Sequence, residues 1–338
     1  MKAVADQQIT HDLCRLLDHD VPHRFAPGIL TGTITDICER LGIGYPRIVA
    51  GNIVIGDPSM ARYLLSAHLD EASFSVTVVG DSTVTLAPCH RFPGGLDRAD
   101  IRFVGVRDGE YRNLGDAEIR SAGQQFITHT TTDIRLGDRA VYRHPTTVEA
   151  NLVTAKAIDD RVGALIALHG ARRLLELGIP TAVVLSDGEQ NRPTGYFSRT
   201  FPHVLHTLAA EATIVFLDGI FQDGLRRDGV TGPLPGALVV PHSGDGAGYS
   251  VAPHTFAILR DMIIPEAVDA GIDVRISGAY HSRGDDWGMV TNPTCGHEHS
   301  AFFLSFGGWG NTPAHRTIDL ACIGNCVDFL EFAAERFG

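Results

Sequence analysis

An α/β fold, a βα-layered and mostly parallel sheet interrupted by a small all-β insertion, is what this sequence predicts, on three observations. Short apolar runs alternate with helix-period segments in the second half of the chain, the pattern of strand–helix units. A middle stretch, residues 73–149, instead alternates Val, Ile, Thr and Phe with polar residues between turn signals. Polar groups suited to chemistry stand where the apolar runs end, and ligand sites in such sheets gather at the carboxyl ends of strands.

The first apolar run, Tyr63-Leu-Leu-Ser-Ala-His68, lacks alternation, so the spacing predicts a strand covered on both faces. Gly80, Pro93-Gly94-Gly95, Asp108-Gly109 and Gly137-Asp138 divide the middle stretch into short strands. Val162, Leu165, Ile166, Leu174 and Leu177 then share one helical face from Asp160 onward, and Gly178 with Pro180 supplies the stop. Strands at Ala182–Leu185, Thr213–Leu217 and Ala301–Phe306 follow, with helices expected near 202–211 and 318–336. The chain therefore divides into residues 1–72 plus 150–338, forming one layered domain, and 73–149, forming a β-barrel-like insertion.

With 338 residues, 44% hydrophobic and 20% charged, the chain can bury a sizeable core. A net charge of −12 without clustered Lys or Arg argues against nucleic acid and anionic membrane surfaces as partners. The N-terminus lacks the apolar stretch of a secretory signal, and six scattered cysteines form no Cys-x-x-Cys pair, so a reduced, cytoplasmic protein is expected. Cys322 and Cys326, one turn apart on the C-terminal helix, read as buried small hydrophobes.

Four residues carry the chemistry. His68, Glu189 and Asp218 follow apolar runs, and Asp159 at a helix start can join them at one sheet edge; an imidazole with carboxylates suits zinc, manganese or cobalt. Gly244-Asp-Gly246-Ala-Gly248 lacks phosphate-loop spacing and reads as a flexible loop, and His297-Glu298-His299 reads as a solvated loop. No Gly-x-Ser-x-Gly elbow suggests a serine hydrolase.

Ala67-His68-Leu69-Asp70-Glu71, then Lys156-Ala-Ile-Asp159-Asp160-Arg161-Val-Gly163, Ser186-Asp-Gly188-Glu189-Gln190 and Phe216-Leu217-Asp218, resemble in order and spacing the tetrahedral (deblocking, glutamyl) aminopeptidases. These are dinuclear zinc or cobalt metallopeptidases, and the similarity spans nearly the whole chain. The resemblance implies a three-layer αβα, zinc-peptidase-like catalytic domain carrying the insertion. It implies that His68, Asp159 and Asp218 bind one ion, with Asp159 bridging to a second, that Asp70 orients the His68 imidazole, and that Glu189 is the general base acting on water, with a cis peptide between Asp159 and Asp160.

Two departures fall on the family's second metal site. Gln190 stands where a glutamate ligand belongs, and Asn311 aligns with a histidine ligand, leaving His315 as the possible substitute. One Zn2+ (or Co2+ or Mn2+) per chain is therefore favoured over two, with Gln190, Asn311 and Asp286 as candidate contacts to substrate. The implied activity is hydrolysis of an amide near a free amine on a short peptide or peptide-like small molecule, by a homo-oligomer. The alternatives are a hydrolase of a non-peptide amide or N-acyl metabolite, and an inactive relative used for binding or assembly.

Overall fold

The computed structural model describes residues 2–89, 96–130, 133–190, 204, 207–209, 211–241, 251–278 and 300–337. The expected loops at 244–248 and 297–299, together with Asp286, Cys295 and most of the expected helix near 202–211, lie outside these residues.

The core of the molecule is an eleven-stranded sheet. Its central strands are parallel: Thr181–Ser186, Tyr63–His68, Thr213–Ile220 and Ala301–Thr312 lie side by side in that order. Every residue of Tyr63–His68 and of Thr181–Ser186 is buried, as their unbroken apolar runs require of strands covered on both faces. Register brings the chemistry to one line. Ser186 lies opposite His68, and Phe216 lies opposite Ser66, so Asp218 comes level with His68.

Both His68 and Asp218 belong to their strands, whereas the sequence places them just beyond the strand ends. The difference arises because parallel pairing continues for Asp218, Gly219 and Ile220 against Ser305, Phe306 and Gly307. The strand beginning at Ala301 likewise runs on to Thr312, where it turns back into the antiparallel strand His315–Asp319.

The helix Ile158–Glu176 packs on Tyr63–His68 and Thr213–Ile220 and against the C-terminal helix Ala321–Phe337, which buries Cys322 and Cys326. Two further helices, Lys2–Leu17 and Ala26–Leu41, precede the first strand and were not predicted. The second carries its own signals: proline at the helix start and Gly42 at φ 69° closing its end. No helix among the described residues is long and apolar enough to cross a membrane.

Between Tyr63–His68 and Leu152–Ala155 the chain builds a closed antiparallel barrel from six strands, running from Ser73 to Tyr142. Its core of Phe74, Leu86, Ile101, Phe103 and Ile119 is separate from the main core. Thr147–Glu149 already belongs to the large sheet, pairing with Leu152–Ala155.

Candidate metal centre

His68 enters the site from the end of its strand and is nearly fully buried. Its Nδ1 lies 3.0 Å from the backbone carbonyl of Asp70. A carbonyl can only accept, so Nδ1 donates, and Nε2 is left as the ring atom available to the site. Nε2 is 3.3 Å from Asp159 Oδ1 and 3.6 Å from Glu189 Oε2.

Asp159 reaches this point through a local break: Asp159 and Asp160 have non-helical backbone angles inside the segment Ile158–Glu176, and the peptide between them is cis. Asp160 turns the other way, accepting from the backbone N–H groups of His68 at 3.3 Å and Gly163 at 3.0 Å, which fixes the strand to the helix start. One ligand atom from each of His68, Asp159 and Asp218 lies within 4.8 Å of the others.

Asp70 does more than the orienting role the resemblance implies, which its carbonyl is placed to fill. Its carboxylate stands 3.6 Å from His68 Nδ1, farther than its own carbonyl does. Instead it accepts from three successive backbone N–H groups, Gly188 at 3.0 Å, Glu189 at 3.2 Å and Gln190 at 3.1 Å. Asp70 thus holds the loop that carries Glu189. Gln190 adds a side-chain bond, donating from Nε2 to Glu189 Oε2 at 2.7 Å. Beneath that loop, Asp187 accepts from the N–H groups of Arg24 and Ala26 at the start of the second helix, and His23 Nδ1 lies 3.5 Å from Asp70 Oδ2.

The remaining motif residues are structural. Glu71 is buried and accepts from Lys156 Nζ, Arg161 Nη2 and the Val21 N–H, while Arg161 also donates to the carbonyls of Leu16 and His19. This network fastens the N-terminal helix to both ligand-bearing segments.

His315 does not join the cluster. It is exposed, its ring edge-on to His144 with centroids 4.6 Å apart. The next residue points to the opposite face, as strand alternation dictates. There Arg316 Nη1 donates to Asp159 Oδ2, and the guanidinium lies over the Phe221 ring. The backbone of Asn311 is in the strand Ala301–Thr312, and its side chain is outside the described residues. Sequence reasoning missed Arg316, His23 and Asp187. Which of His315 and Arg316 faces the site follows from strand pairing, so the sequence carried no signal for Arg316, and His23 and Asp187 offered none.

The donor set fits a divalent cation. Burial, with repulsion from Asp159 and Asp160, pushes the Asp218 carboxyl well above the usual carboxylate range, the mark of buried acids short of positive charge. Asp159 is held below that range: burial would raise it, but Arg316 and His68 outweigh burial. One imidazole nitrogen and two carboxylates with an open side are the ligands of a catalytic zinc site, and manganese and cobalt accept the same set.

Solved structures that resemble this chain in fold include aminopeptidases. An aminopeptidase from the archaeon Desulfurococcus kamchatkensis matches with a TM-score of 0.76 at 17% identity, over 98% of this chain and 95% of that one. A TET aminopeptidase from a marine sediment archaeon of the Thaumarchaeota matches with a TM-score of 0.73 at 16% identity, over 97% of each chain. The TET1 peptidase of Pyrococcus horikoshii, which can assemble into a tetrahedron or a large octahedral shell, matches with a TM-score of 0.73 at 14% identity, over 96% and 99%. The three-layer αβα fold with an inserted barrel is therefore shared with the TET aminopeptidases. No protein-family model matches the sequence, and comparison with curated proteins gives no match.

Proposed function

We propose that this protein is a metal-dependent hydrolase of amide bonds in short peptides or peptide-like small molecules, working with one divalent ion on His68, Asp159 and Asp218. The observation that carries it is the convergence of those three residues with Glu189 at one buried point on the edge of a parallel sheet. A divalent ion bound there supplies a Lewis acid for the amide carbonyl and makes water more acidic.

The chain's own groups do the rest. Glu189 removes a proton from the attacking water and returns it to the leaving nitrogen, so a single carboxylate serves as base and then acid. Gln190 holds Glu189 Oε2 in place, and Asp70 fixes the backbone of both. Asp218 closes the site from the neighbouring strand, its carbonyl accepting from the Ser305 hydroxyl at 2.6 Å. A single ion is favoured because Gln190 bonds to Glu189 and the second oxygen of Asp159 is taken by Arg316. The substrate, a homo-oligomeric state and a cytoplasmic setting belong to the same reading; the unpaired buried thiols of Cys38, Cys322 and Cys326 suit a reducing compartment.

The test is a zinc, cobalt and manganese titration of metal-free protein, followed by turnover of aminoacyl amides and acyl amides. Ion-dependent hydrolysis that Glu189→Gln abolishes is the expected outcome. Hydrolysis indifferent to chelators, or none with any ion, would remove the assignment.

A further inference from the structure

Arg316 is the feature the proposed chemistry leaves unused. It sits on the strand His315–Asp319 and donates from Nη1 to Asp159 Oδ2, the oxygen that His68 does not engage. The guanidinium carbon lies 3.6 Å from the centroid of the Phe221 ring, flat-stacking distance for a cation on an aromatic face. That platform has room made for it. A Cβ at Gly219 or at Gly308 would fall 2.6 Å from Phe221 ring atoms, so glycine at both positions lets the ring lie where it supports Arg316.

A guanidinium offers five N–H donors in a planar fork. Among the described residues the hydrogen bond to Asp159 uses one, and Nε is buried with no acceptor. Charge points the same way. A divalent ion on Asp159 and Asp218 would offset those two carboxylates, so the charge of Asp159 would no longer answer Arg316 alone. Because Arg316 shares Asp159 with the cluster, a substituent beside a carbonyl drawn to that cluster would lie near the fork. An ammonium there meets like charge; a carboxylate meets the planar geometry it binds best.

We propose that Arg316 is a specificity-determining residue that receives a carboxylate of the substrate, so that the bond cleaved is the amide of an N-acyl amino acid or a closely related acid. This rests on the amide-hydrolase reading above and replaces the free amine that the family resemblance places beside the scissile bond. The reaction adds water across the C–N bond. Hydroxyl goes to the acyl carbon and hydrogen to the nitrogen, giving a carboxylic acid and a free amino acid.

The experiment uses three matched compounds: N-acetyl-L-leucine, its neutral amide N-acetyl-L-leucinamide, and L-leucinamide, which carries an ammonium group. Each is titrated calorimetrically into zinc-loaded Glu189→Gln protein with Arg316 intact, changed to Met, or changed to Lys, with zinc content measured in each. With arginine, the acid should bind roughly ten- to a hundredfold more tightly than the neutral amide, the worth of a charge-assisted hydrogen bond. Arg316→Met should erase that ratio, and Arg316→Lys should keep part of it as a point charge without the fork. Equal binding of acid and amide, tighter binding of L-leucinamide, no binding of any compound, or a ratio that survives Arg316→Met would each overturn the proposal. Turnover by the unsubstituted protein separates the two readings. Selective, Arg316-dependent binding of the acid without cleavage of any compound would sink the hydrolase assignment and leave Arg316 its role. Preferred cleavage of L-leucinamide would do the reverse.

Discussion

In the proposed reaction Glu189 acts from a loop, and the Asp70 carboxylate holds that loop. Glu189→Gln keeps the shape and the bond from Gln190 but cannot take a proton, so kcat should fall by about 10²–10⁴ with ion content unchanged. Steady-state kinetics beside metal analysis checks this, and undiminished kcat would free Glu189 of the role. His68→Ala removes the nitrogen ligand and should cost the tightly held ion, read by dialysis and metal assay. Asp70→Ala strips the acceptor from three N–H groups; with hydrogen bonds to charged groups worth about 1.5–3 kcal/mol each, a loss of several kcal/mol in unfolding free energy is expected. At this scale the sequence was most informative for His68, Asp159, Glu189 and Asp218, because each sits in a short run of fixed spacing. It was least informative for Arg316. His315, the better ligand by type, stands one residue away, and which of two neighbours faces a site depends on strand register, a property of pairing rather than of the residues themselves.

Elements here are tied by buried charge as much as by apolar contact. Glu71 sits between Lys156 and Arg161, joining the His68 segment to the Asp159 segment and to the first helix. Glu71→Ala would leave Lys156 and the fully buried Arg161 without their shared partner, a loss of about 3–5 kcal/mol that urea unfolding would register. A second contact between helices is sensitive to acid. His169 of Ile158–Glu176 stands 3.9 Å from Asp12 of Lys2–Leu17, and burial, helped by Arg40, pushes the imidazole down to about 4 despite Asp12. Its folded pKa lies below the ordinary 6.5, so the unfolded chain binds the extra proton first. Stability from this residue is complete above pH 6.5 and drains away between 6.5 and 4, at up to ~1.4 kcal/mol per pH unit. Unfolding curves across that window should flatten in His169→Gln; an identical slope would place the acid sensitivity elsewhere. Periodicity disclosed the helix after Asp160 and the central strands, whose patterns are unambiguous. It did not disclose Lys2–Leu17, whose mean hydropathy is low; Leu13, Leu16 and Leu17 anchor it in the main core, and Arg161 reaches the carbonyls of Leu16 and His19 beside them.

For the whole molecule, the proposed ion would be a ligand of the native state alone, since His68, Asp159 and Asp218 meet only when three distant segments pack. At a hundredfold excess over its dissociation constant it should add about 2.7 kcal/mol, seen as a higher melting temperature that chelation reverses, with one ion per chain at saturation. Two equal binding events would show that Asp159 can bridge ions despite Arg316. The alternation of two patterns, unbroken apolar runs and period-two segments, made the layered sheet and the barrel legible in outline; the exact hand-over between them was not, because Thr147–Glu149 carries strand character but joins the large sheet. That hand-over has a consequence of its own. Ser73 and Val141, near the barrel's two ends, face each other across one rung of a ladder, so the chain departs and returns within a single strand spacing, roughly 5 Å. To the parent fold the barrel is a cassette. Its length can change while the gap it bridges stays constant, and His68 keeps its appointment with Asp159 although 91 positions separate them along the chain.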